Sequence, residues 1–432
     1  MEGAPLKIGF AGLGTVGQGV WATLVDHADR MAAAAGRPLV PSAVAVRDRA
    51  KPRDVAIPET AWCADALSVA TDPEVDVVCE LMGGVEQALA VTLAALQAGK
   101  PVVTANKALL AEHGPELFAT AQAHETRLAF EASVAGGIPV IKALAEGLAA
   151  NRFPLIYGIL NGTCNYILTR MAREQVDFGP VLDDARQLGY VEADEALDLD
   201  GLDAAHKAII LTWLAHGVWL PLAEMPVEGI RQITLEDIAA ADALGYRVKL
   251  VGIIERDFEG GTVATAVQPM LLPAGTTLAN VNDAFNGVSL SGDVVGESTL
   301  IGRGAGRFPT ASAVLADLVD CARGRGFDGQ VSFPGTPPIQ ATPAQIQRAF
   351  YLRLHVADRP GVLAEVAALM AGHGISIATM TQRPVADHPG QAALVFTTHR
   401  TTEAAMASAL EELAEAPFLA SPAFRMRIAP FA

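Results

Sequence analysis

The stretch "LKIGFAGLGTVG", residues 6–17, decides the fold of the first third of this chain. A short apolar run typical of a buried strand leads into Gly12, Gly14 and Gly17. In a Gly-x-Gly-x-x-Gly pattern between a strand and a helix, glycine allows a tight turn, a close approach of a pyrophosphate and close helix–strand packing. The anion then lies at the helix N-terminus. We predict a helix beginning near Val16 and a cofactor loop made of Gly12, Leu13, Gly14, Thr15, Val16 and Gly17; a glycine turn without a ligand is the alternative.

Further apolar runs alternate with helical patterns through the first 135 residues. The expected strands cover residues 42–46, 75–81, 101–105 and 127–134, with helices such as "VEQALAVTLAALQAGK" between them. Strands that alternate with helices indicate βαβ units and a parallel sheet covered on both faces. We therefore predict an α/β chain whose N-terminal domain is a Rossmann-type, doubly wound nucleotide-binding domain.

The pattern changes after this domain. "RVKLVGIIE" and "GTVATAVQPMLL" flank Gly260-Gly261 and predict an antiparallel pair. We predict an α+β substrate and dimerisation domain with a mixed sheet at residues 136–303, and a long helix beginning at Pro309 within residues 304–325 that returns to the first domain. The proline-rich residues 333–347 predict a linker, and residues 348–432 a small βαββαβ domain.

Bulk composition limits the class of protein. The net charge is −17 over 432 residues, which argues against nucleic acid as a partner and gives no reason to expect a membrane. No apolar run approaches the length of a membrane span, and the glycine loop interrupts the N-terminal apolar stretch before it could form a signal peptide. The four cysteines show no metal-binding spacing, so we expect a cytoplasmic protein with reduced thiols.

Basic residues after the second predicted strand bear on the cofactor. An acidic residue at this point binds the ribose hydroxyls of NAD, whereas a cation accommodates the 2′-phosphate of NADP. Here Arg47 comes first, with Arg49 and Lys51 nearby, although Asp48 keeps NAD possible. We favour NADP. Lys107, directly after the fourth predicted strand, should point towards the cofactor; an ordinary surface lysine is the alternative.

Several motifs in their order resemble the homoserine dehydrogenase family. They are "GLGTVG", "VVTANKALLA", "GILNGTCNYIL" at residues 158–168, "GYVEADEALDLDGLDAAHK" at 189–207 and "GRGAGRFPTASAVLADLV" at 302–319. The sequence departs from the family pattern at Glu195, commonly proline, and at Cys164, commonly threonine. The resemblance implies reversible NAD(P)H-dependent reduction of L-aspartate 4-semialdehyde to L-homoserine, in the biosynthesis of threonine, methionine and isoleucine.

The acidic stretch at residues 189–207 carries the expected substrate site. A solvated acidic loop with one i,i+4 ion pair is the plain alternative. By resemblance, Glu192 binds the α-ammonium group of the substrate, and Asp198 and Asp203 form the polar wall around it, together with Lys107. A hydride transfer to a carbonyl develops negative charge on oxygen that must be stabilised and protonated. We expect Lys207 to be the proton donor, oriented by Asp203, with Lys107 as a second cation.

Two further sets of site residues rest mainly on the resemblance. The family holds a sodium ion at a glycine-rich turn, which implies ligation by Glu131, Val134, Gly136 and Ile138 here. A turn of this kind exposes carbonyl oxygens suited to a hard cation; an unliganded strand-to-helix turn is the alternative. Gly189, Gly304 and Gly306 are expected to approach the nicotinamide closely.

The C-terminal "DRPGVLAEVAALMAGHGISI" resembles an ACT domain, the amino-acid-sensing module of many such enzymes. It implies a ferredoxin-like fold and an effector site at Asp358 and Gly361, with threonine as inhibitor; an ACT domain that only strengthens the oligomer is the alternative. The resemblance also implies a homodimer or a dimer of dimers. Two rival functions remain: a dehydrogenase of another amino-acid-derived aldehyde, and an inactive nucleotide-binding amino-acid sensor.

Overall fold

The computed structural model describes residues 3–190, 195–326, 336–385 and 388–430. The chain forms two compact units, each built from three separate segments. The first unit contains Met1–Gly162, Asp203–Met225 and Ala284–Pro338. The second unit contains Thr163–Leu202, Pro226–Asp283 and Ile339–Ala432.

Strands and helices are numbered in chain order. The strands are β1 Leu6–Ala11, β2 Leu39–Ala45, β3 Val77–Glu80, β4 Val102–Thr104, β5 Leu128–Ala129, β6 Leu155–Ile159, β7 Tyr246–Asp257, β8 Thr262–Pro273, β9 Phe285–Gly292, β10 Gly296–Arg303, β11 Ile339–Gln340, β12 Gln347–Ala357, β13 Ile377–Pro384, β14 Gln391–Thr398, β15 Thr401–Thr402 and β16 Phe424–Ile428. The helices are α1 Thr15–Asp26, α2 Ala28–Ala35, α3 Ala66–Thr71, α4 Glu86–Gln97, α5 Lys107–Ala123, α6 Val140–Lys142, α7 Gly162–Glu174, α8 Phe178–Gln187, α9 Glu195–Leu199, α10 Leu202–His216, α11 Leu235–Ala243, α12 Arg307–Arg323, α13 Val362–Gly372 and α14 Glu403–Ala414.

The first unit contains the predicted doubly wound parallel sheet. Its five strands lie in the order β2-β1-β3-β4-β5, and every neighbouring pair is parallel. The runs "LKIGFA" and "VVCE" are buried along almost their whole length because helices cover both faces of such a sheet. The strand order reverses between β1 and β3, which places a ligand crevice at the carboxyl ends of these two strands.

Helix α12 packs on this sheet, as the predicted returning helix should. Ala311, Val314 and Leu318 of α12 are buried in the same apolar cluster as Phe10 and Val20. The helix begins at Arg307, two residues before the predicted Pro309, because Gly306 precedes it with φ +126° as its N-cap.

Strand β5 is much shorter than predicted. The expected strand at residues 127–134 ends at Ala129, and Glu131–Ser133 form a 3-10 turn. The backbone N–H of Glu131 donates to the Asp317 carboxylate of α12 at 2.9 Å, so a side chain replaces the strand partner that an extended backbone would need. Residues 131–133 are nonetheless buried, which explains their strand-like apolar pattern.

The first unit also contains three antiparallel strands of a second sheet, in which β9 lies between β6 and β10. Strand β6 leads into the "ILNGTCN" segment, and β10 leads towards α12, so the sheet holds both chain segments that reach the candidate site. Gly158 of β6 lies so close to β9 that an added Cβ would come within 2.7 Å of the Gly287 carbonyl oxygen.

In the second unit, six strands lie side by side in the order β7-β8-β16-β12-β14-β13. Strands β7 and β8 form the antiparallel pair predicted around Gly260-Gly261. Strand β16 runs parallel to β8 and antiparallel to β12. The C-terminal residues therefore form the predicted βαββαβ fold but continue the sheet of β7 and β8, which the sequence pattern did not indicate.

Part of the predicted linker is a strand. Residues 339 and 340 form β11, which pairs in parallel with Thr262 and Val263 of β8. Among the described residues, no helix is long and apolar enough to cross a lipid bilayer.

Candidate active site

The glycine loop has the geometry that a dinucleotide requires. Gly12 has φ +95°, and a Cβ there would lie 2.7 Å from the backbone of Leu81. A Cβ on Gly17 would lie 2.9 Å from the Gly12 carbonyl oxygen, so the loop and the helix pack closely. Gly14 is the N-cap of α1, and an added Cβ would meet no atom within 4 Å. The helix N-terminus therefore opens onto free space, where an anion would be stabilised.

The cavity beside Gly14 measures about 630 Å³, which lies within the range of roughly 300–1,000 Å³ that is usual for ligand pockets. Gly12, Leu13, Gly14 and Thr15 line one side of it, and Leu81, Met82 and Gly83 after β3 line another. These are the carboxyl ends of β1 and β3, where the strand order reverses. The residues thus fit the nicotinamide dinucleotide that the sequence predicted.

Cations surround the part of this cavity beyond β2. Arg47, Lys51 and Arg53 line it together with Asp48. Arg53 donates to the backbone carbonyl of Asp48 at 2.7 Å, and the Asp48 carboxylate accepts the backbone N–H of Ala50 at 2.8 Å. Arg49, in contrast, stacks its guanidinium over Trp62 at 4.5 Å. Arg53 was not among the residues predicted from the sequence.

A buried carboxylate organises the floor of the cavity. Glu80, at the end of β3, is fully buried. Its oxygens accept the backbone N–H of Met82 at 2.9 Å and the hydroxyl of Thr104 at 2.7 Å. Burial raises the pKa of Glu80, while these hydrogen bonds oppose the shift. Sequence reasoning missed this residue, because an acidic residue ending an apolar strand carries no signal of its partners.

Helix α5 presents Lys107 from the end of β4. Asn106 is the N-cap: its side-chain oxygen accepts the Leu109 N–H at 3.1 Å, and its amide nitrogen donates to the Gly84 carbonyl at 2.6 Å. The backbone N–H of Asn106 donates in turn to the Thr104 hydroxyl at 3.0 Å. The start of α5 is therefore tied to the loop after β3 that lines the cavity.

Three charged side chains meet on the buried face of α10. One Asp203 oxygen lies 2.7 Å from the ammonium of Lys207, one helical turn later, and the other lies 3.0 Å from the ammonium of Lys107. Asn161 donates to Asp203 at 3.0 Å. Asp203 and Lys207 are 6% and 7% exposed, so this is not the solvated i,i+4 pair of the plain alternative.

The charge of this cluster follows from its composition. Burial alone would raise the pKa of Asp203, but the ammonium groups of Lys207 and Lys107 outweigh it and hold that pKa well below its usual range. Asp203 is thus ionised near neutral pH and shared by two cations, which leaves the cluster with a net positive charge. The neighbouring His206 has a lowered pKa because it is buried.

Backbone and amide groups fix the position of Lys207. Its ammonium also donates to the Leu160 carbonyl at 2.6 Å, and Asn286 of β9 donates to the same carbonyl at 2.9 Å. Gly304 packs on Asn286 so closely that a Cβ would lie 2.1 Å from it. Sequence reasoning did not assign roles to Asn161 or Asn286; the "ILNGTCN" segment was noticed only as a family motif.

The remaining predicted substrate residues lie in the second unit or outside the described residues. Glu192 belongs to residues 191–194, which the structure does not describe. Asp198 is buried at the end of α9, and its carbonyl accepts from the Cys164 thiol at 3.1 Å. Glu195 pairs with Arg186 at 2.5 Å. Gly189 follows α8 with φ +72°, where open space surrounds its Cα.

The predicted sodium ligands form a tight turn in the first unit. Both oxygens of Glu131 accept backbone N–H groups, from Ile141 at 2.9 Å and Lys142 at 2.8 Å. Ala135 and Gly136 both have positive φ, which changes the direction of the backbone carbonyl groups in this turn. Burial raises the pKa of Glu131 to about 7.

In the C-terminal fold, the predicted effector residues lie between β12 and α13. Gly361 has φ +98° as the N-cap of α13, and Asp358 accepts from Gln382 at 3.4 Å. The loop therefore presents the start of a helix beside one carboxylate.

Family models cover most of the chain. A model described as "Homoserine dehydrogenase, NAD binding domain" matches residues 12–131, "Homoserine dehydrogenase" matches residues 139–319, and "ACT domain" matches residues 350–418. Their order is the domain order expected from the sequence.

Relatives of the same kind match almost the full length. The chain is 42% identical to a homoserine dehydrogenase of Pseudomonas aeruginosa over 98% of this chain and 99% of that protein. The crystal structure of a homoserine dehydrogenase from Thiobacillus denitrificans matches with a TM-score of 0.91 and 40% identity, covering 98% of each chain. A hyperthermophilic archaeal homoserine dehydrogenase in complex with NADPH shares the fold at 24% identity and a TM-score of 0.63, covering 75% of this chain and 99% of that one. These matches favour neither the inactive sensor nor a dehydrogenase of another aldehyde.

Proposed function

This chain belongs to the homoserine dehydrogenase family of NAD(P)-dependent oxidoreductases, which act in amino-acid biosynthesis, and we propose that Lys207, Asp203 and Lys107 are its catalytic residues. The observation that carries this proposal is the orientation of the Lys207 ammonium. It donates to Asp203 and to the Leu160 carbonyl, and no other described residue accepts its third N–H. That N–H is available for the reacting oxygen of the substrate.

The residues divide the chemistry in a simple way. The nicotinamide, when bound, supplies or accepts the hydride at the substrate carbon. In the reductive direction, the Lys207 ammonium stabilises the developing alkoxide and gives it a proton, which leaves a neutral amine. In the oxidative direction, that neutral amine takes the proton from the hydroxyl of homoserine and becomes the ammonium. Lys107 adds a second positive charge. Asp203 orients both lysines, because one of its oxygens lies against each ammonium.

Substrate recognition is the second part of the proposal. A buried α-ammonium group requires a carboxylate, and we assign this role to Glu192, with Asp198 and Asp203 as the polar wall. The support for Asp198 is its burial at the end of α9, and the support for Glu192 is its place in the family motif.

One assay tests the reaction directly. Purified protein is mixed with L-homoserine and either NAD or NADP, and the absorbance of the reduced cofactor is followed. We expect homoserine-dependent reduction, and L-serine, which is one methylene shorter, serves as the control substrate. Equal rates with and without homoserine would overturn the proposed function.

We propose that the enzyme prefers NADP to NAD. The cavity beyond β2 is lined by Arg47, Lys51 and Arg53 against the carboxylate of Asp48, and that carboxylate accepts the Ala50 N–H within its own turn. A 2′-phosphate carries charge that three cations can neutralise. Gly189, Gly304 and Gly306 remain proposed close-approach positions beside the nicotinamide.

The turn at Glu131 fits a sodium ion. A carboxylate whose pKa is raised to about 7 by burial gains from a nearby cation, and the carbonyls of Val134, Gly136 and Ile138 are the hard ligands that sodium prefers. The ion would hold the turn between β5 and α6. In a thermal melt at pH 8, NaCl should raise the Tm more than choline chloride of the same ionic strength, and Glu131→Gln should remove the difference. Equal melting temperatures in the two salts would contradict the assignment.

We propose amino-acid control by the ACT domain, with threonine as inhibitor bound near Asp358 and Gly361. Free N–H groups at the start of α13 suit a carboxylate, and Asp358 suits an ammonium. Asp358→Asn should weaken inhibition of homoserine oxidation by threonine. A homodimer or dimer of dimers is the proposed assembly, to be measured by light scattering with and without threonine.

A further inference from the structure

A second large cavity lies in the second unit, apart from the loop of Asp358 and Gly361. Its volume is about 520 Å³. One wall comes from α14 and the segment that enters β16, and the other from the segment after α9 and the segment before α11. The lining residues on which the argument depends are Asp200, Glu228, Arg231, Leu410, Phe424 and Arg425.

Two guanidinium groups at β16 pair with the same carboxylate. Arg425 and Arg427 share one carboxylate, Glu228, with nitrogen–oxygen distances of 3.2 Å and 2.6 Å. Arg427 has a second partner, Glu403, at 2.9 Å. In the described part of the chain, Glu228 is the only carboxylate within ion-pair distance of Arg425. Burial and the repulsion of Arg427 lower the pKa of Arg425, so this guanidinium would gain from a further anion.

The opposite wall carries an exposed ion pair. Asp200 and Arg231 lie 2.6 Å apart, with side chains 45% and 42% exposed. The four charged side chains that line the cavity are two carboxylates and two guanidiniums, so the lining is neutral overall. Leu410 and Phe424 add apolar groups to the wall formed by α14 and β16.

We propose that this cavity binds a free α-amino acid with a short side chain. Its carboxylate pairs with Arg425, its ammonium pairs with Asp200, and its side chain contacts Leu410 and Phe424. A zwitterion leaves the neutral lining neutral, whereas a simple anion or a simple cation would leave one charge of the occupied cavity uncompensated. The cavity has room for such a molecule and for bridging waters.

The cavity is joined to the segment that carries Asp198. The N–H of Ile230 donates to the Leu199 carbonyl at 2.9 Å, and a Cβ on Gly229 would lie 2.1 Å from the same carbonyl. Asp200 follows directly, and its carboxylate lines the cavity. A ligand that pairs with Asp200 therefore contacts the segment immediately after Asp198. Its binding should change the KM for homoserine.

Isothermal titration of the full-length chain tests the proposal. The probes are L-alanine, L-threonine and L-valine, with isovalerate and isobutylamine as analogues of valine that lack the ammonium or the carboxylate. The variants are Arg425→Met, which removes the cation, and Ala414→Leu, which fills the cavity from α14 without touching its charges. Arg400→Met, in the same fold but outside the cavity lining, is the matched control. Melting temperatures verify that each variant is folded.

We expect at least one of the amino acids to bind and both analogues to bind more weakly. Arg425→Met should raise the Kd about ten-fold or more, because a hydrogen bond to a charged group is worth that much. Ala414→Leu should raise it too, and Arg400→Met should not. The proposal is overturned if no amino acid binds, if isovalerate binds as tightly as L-valine, or if both cavity variants bind like the unaltered chain. Homoserine oxidation measured on the same samples keeps these results separate from the proposed function.

Discussion

A carboxylate shared by two ammonium groups sets the charge of the candidate active site. Asp203 holds Lys207 and Lys107 on its two oxygens, and its burial makes the pairing strong. The cost of removing buried charges from water offsets much of their mutual attraction, so stability is a poor reason for this arrangement. The cluster is better explained as a preorganised positive site for an oxygen that becomes negative in the reaction.

A residue-scale prediction separates substrate binding from chemistry. Glu192→Gln should raise the KM for homoserine, with a smaller effect on kcat, because a neutral amide cannot replace the ion pair to the α-ammonium group. Steady-state kinetics at saturating cofactor measure both constants. Asp183→Asn, an exposed position on α8, is the control. An unchanged KM would assign the ammonium to another carboxylate, Asp198 or Asp203.

Some of this cluster could be predicted from residues and some could not. The spacing of Asp203 and Lys207 follows from helical periodicity, since both lie on one face of α10. The second partner of Lys207, the Leu160 carbonyl, is 47 residues away in the chain, and a backbone acceptor leaves no trace in sequence. Glu80 was missed for the same reason, because its partners are the Met82 N–H and a threonine on a neighbouring strand.

At the scale of elements, the end of β2 should determine the choice between NADP and NAD. Arg47→Ala should raise the KM for NADP much more than the KM for NAD, because only NADP carries the 2′-phosphate. Lys7→Ala, a surface ion pair at the opposite end of β1, is the matched control. Equal effects on both cofactors would mean that Arg47 does not contact the phosphate.

The contact between α12 and α6 should make stability depend on pH. Burial raises the pKa of Asp317 to about 7, although Lys142 opposes the shift; an unfolded aspartate titrates near about 3.9. Between these values the folded state binds more protons than the unfolded state, so stability falls as pH rises from about 4 to about 7 and is then constant.

A substitution of Asp317 tests whether this residue makes stability fall as pH rises. Asp317→Asn should show a smaller loss of stability across this window, measured by urea unfolding at a series of pH values. Asp320→Asn is the matched control, because Asp320 pairs with the same Lys142 but lies in a more exposed position. Identical slopes for the two variants and the unaltered chain would contradict the prediction.

Strands β1 to β4 could be predicted because each is a compact apolar run with buried faces, and their order implied the parallel sheet. The end of strand β5 could not be predicted from the sequence, because residues 131–133 are buried like a strand although they form a 3-10 turn. Burial, rather than extended backbone, produced the apolar pattern there. The start of α12 also differs from the prediction: the helix begins directly after its N-cap Gly306, two residues before Pro309.

At the scale of the whole molecule, the C-terminal fold is built into the second unit. Strand β16 pairs with β8, and the guanidinium of Arg353 and the hydroxyl of Tyr351 both bind the fully buried Asp237 of α11. Pairing between strands about 150 residues apart leaves no local pattern, so the sequence predicted a separate domain after a linker. Truncation after residue 335 would remove β16 and leave Asp237 without its cation.

This architecture predicts a stability effect far from the active site. Arg353→Met should lower the free energy of unfolding by about 3–5 kcal/mol, the usual result of leaving one partner of a buried ion pair. Chemical denaturation followed by circular dichroism measures it. Arg359→Met, whose pair with Glu365 is exposed, should change the same quantity by less than about 1 kcal/mol. If Arg353→Met lowers the free energy of unfolding no more than Arg359→Met does, the C-terminal fold is not stabilised by its contact with α11 as we infer.

The central claim is that Lys207 transfers the proton of the reaction: its neutral amine accepts it in homoserine oxidation, and its ammonium donates it in the reverse direction. The most direct measurement is kcat for Lys207→Ala, together with the Kd for NADPH from the fluorescence of the bound cofactor. We predict a fall in kcat of about 10²–10⁴-fold, as is typical for the loss of a general acid or base, with an almost unchanged Kd. Lys7→Ala should leave both values unaltered. A Lys207→Ala protein that keeps more than about a third of its kcat would contradict the claim, because a group that transfers the proton cannot be lost at so little cost.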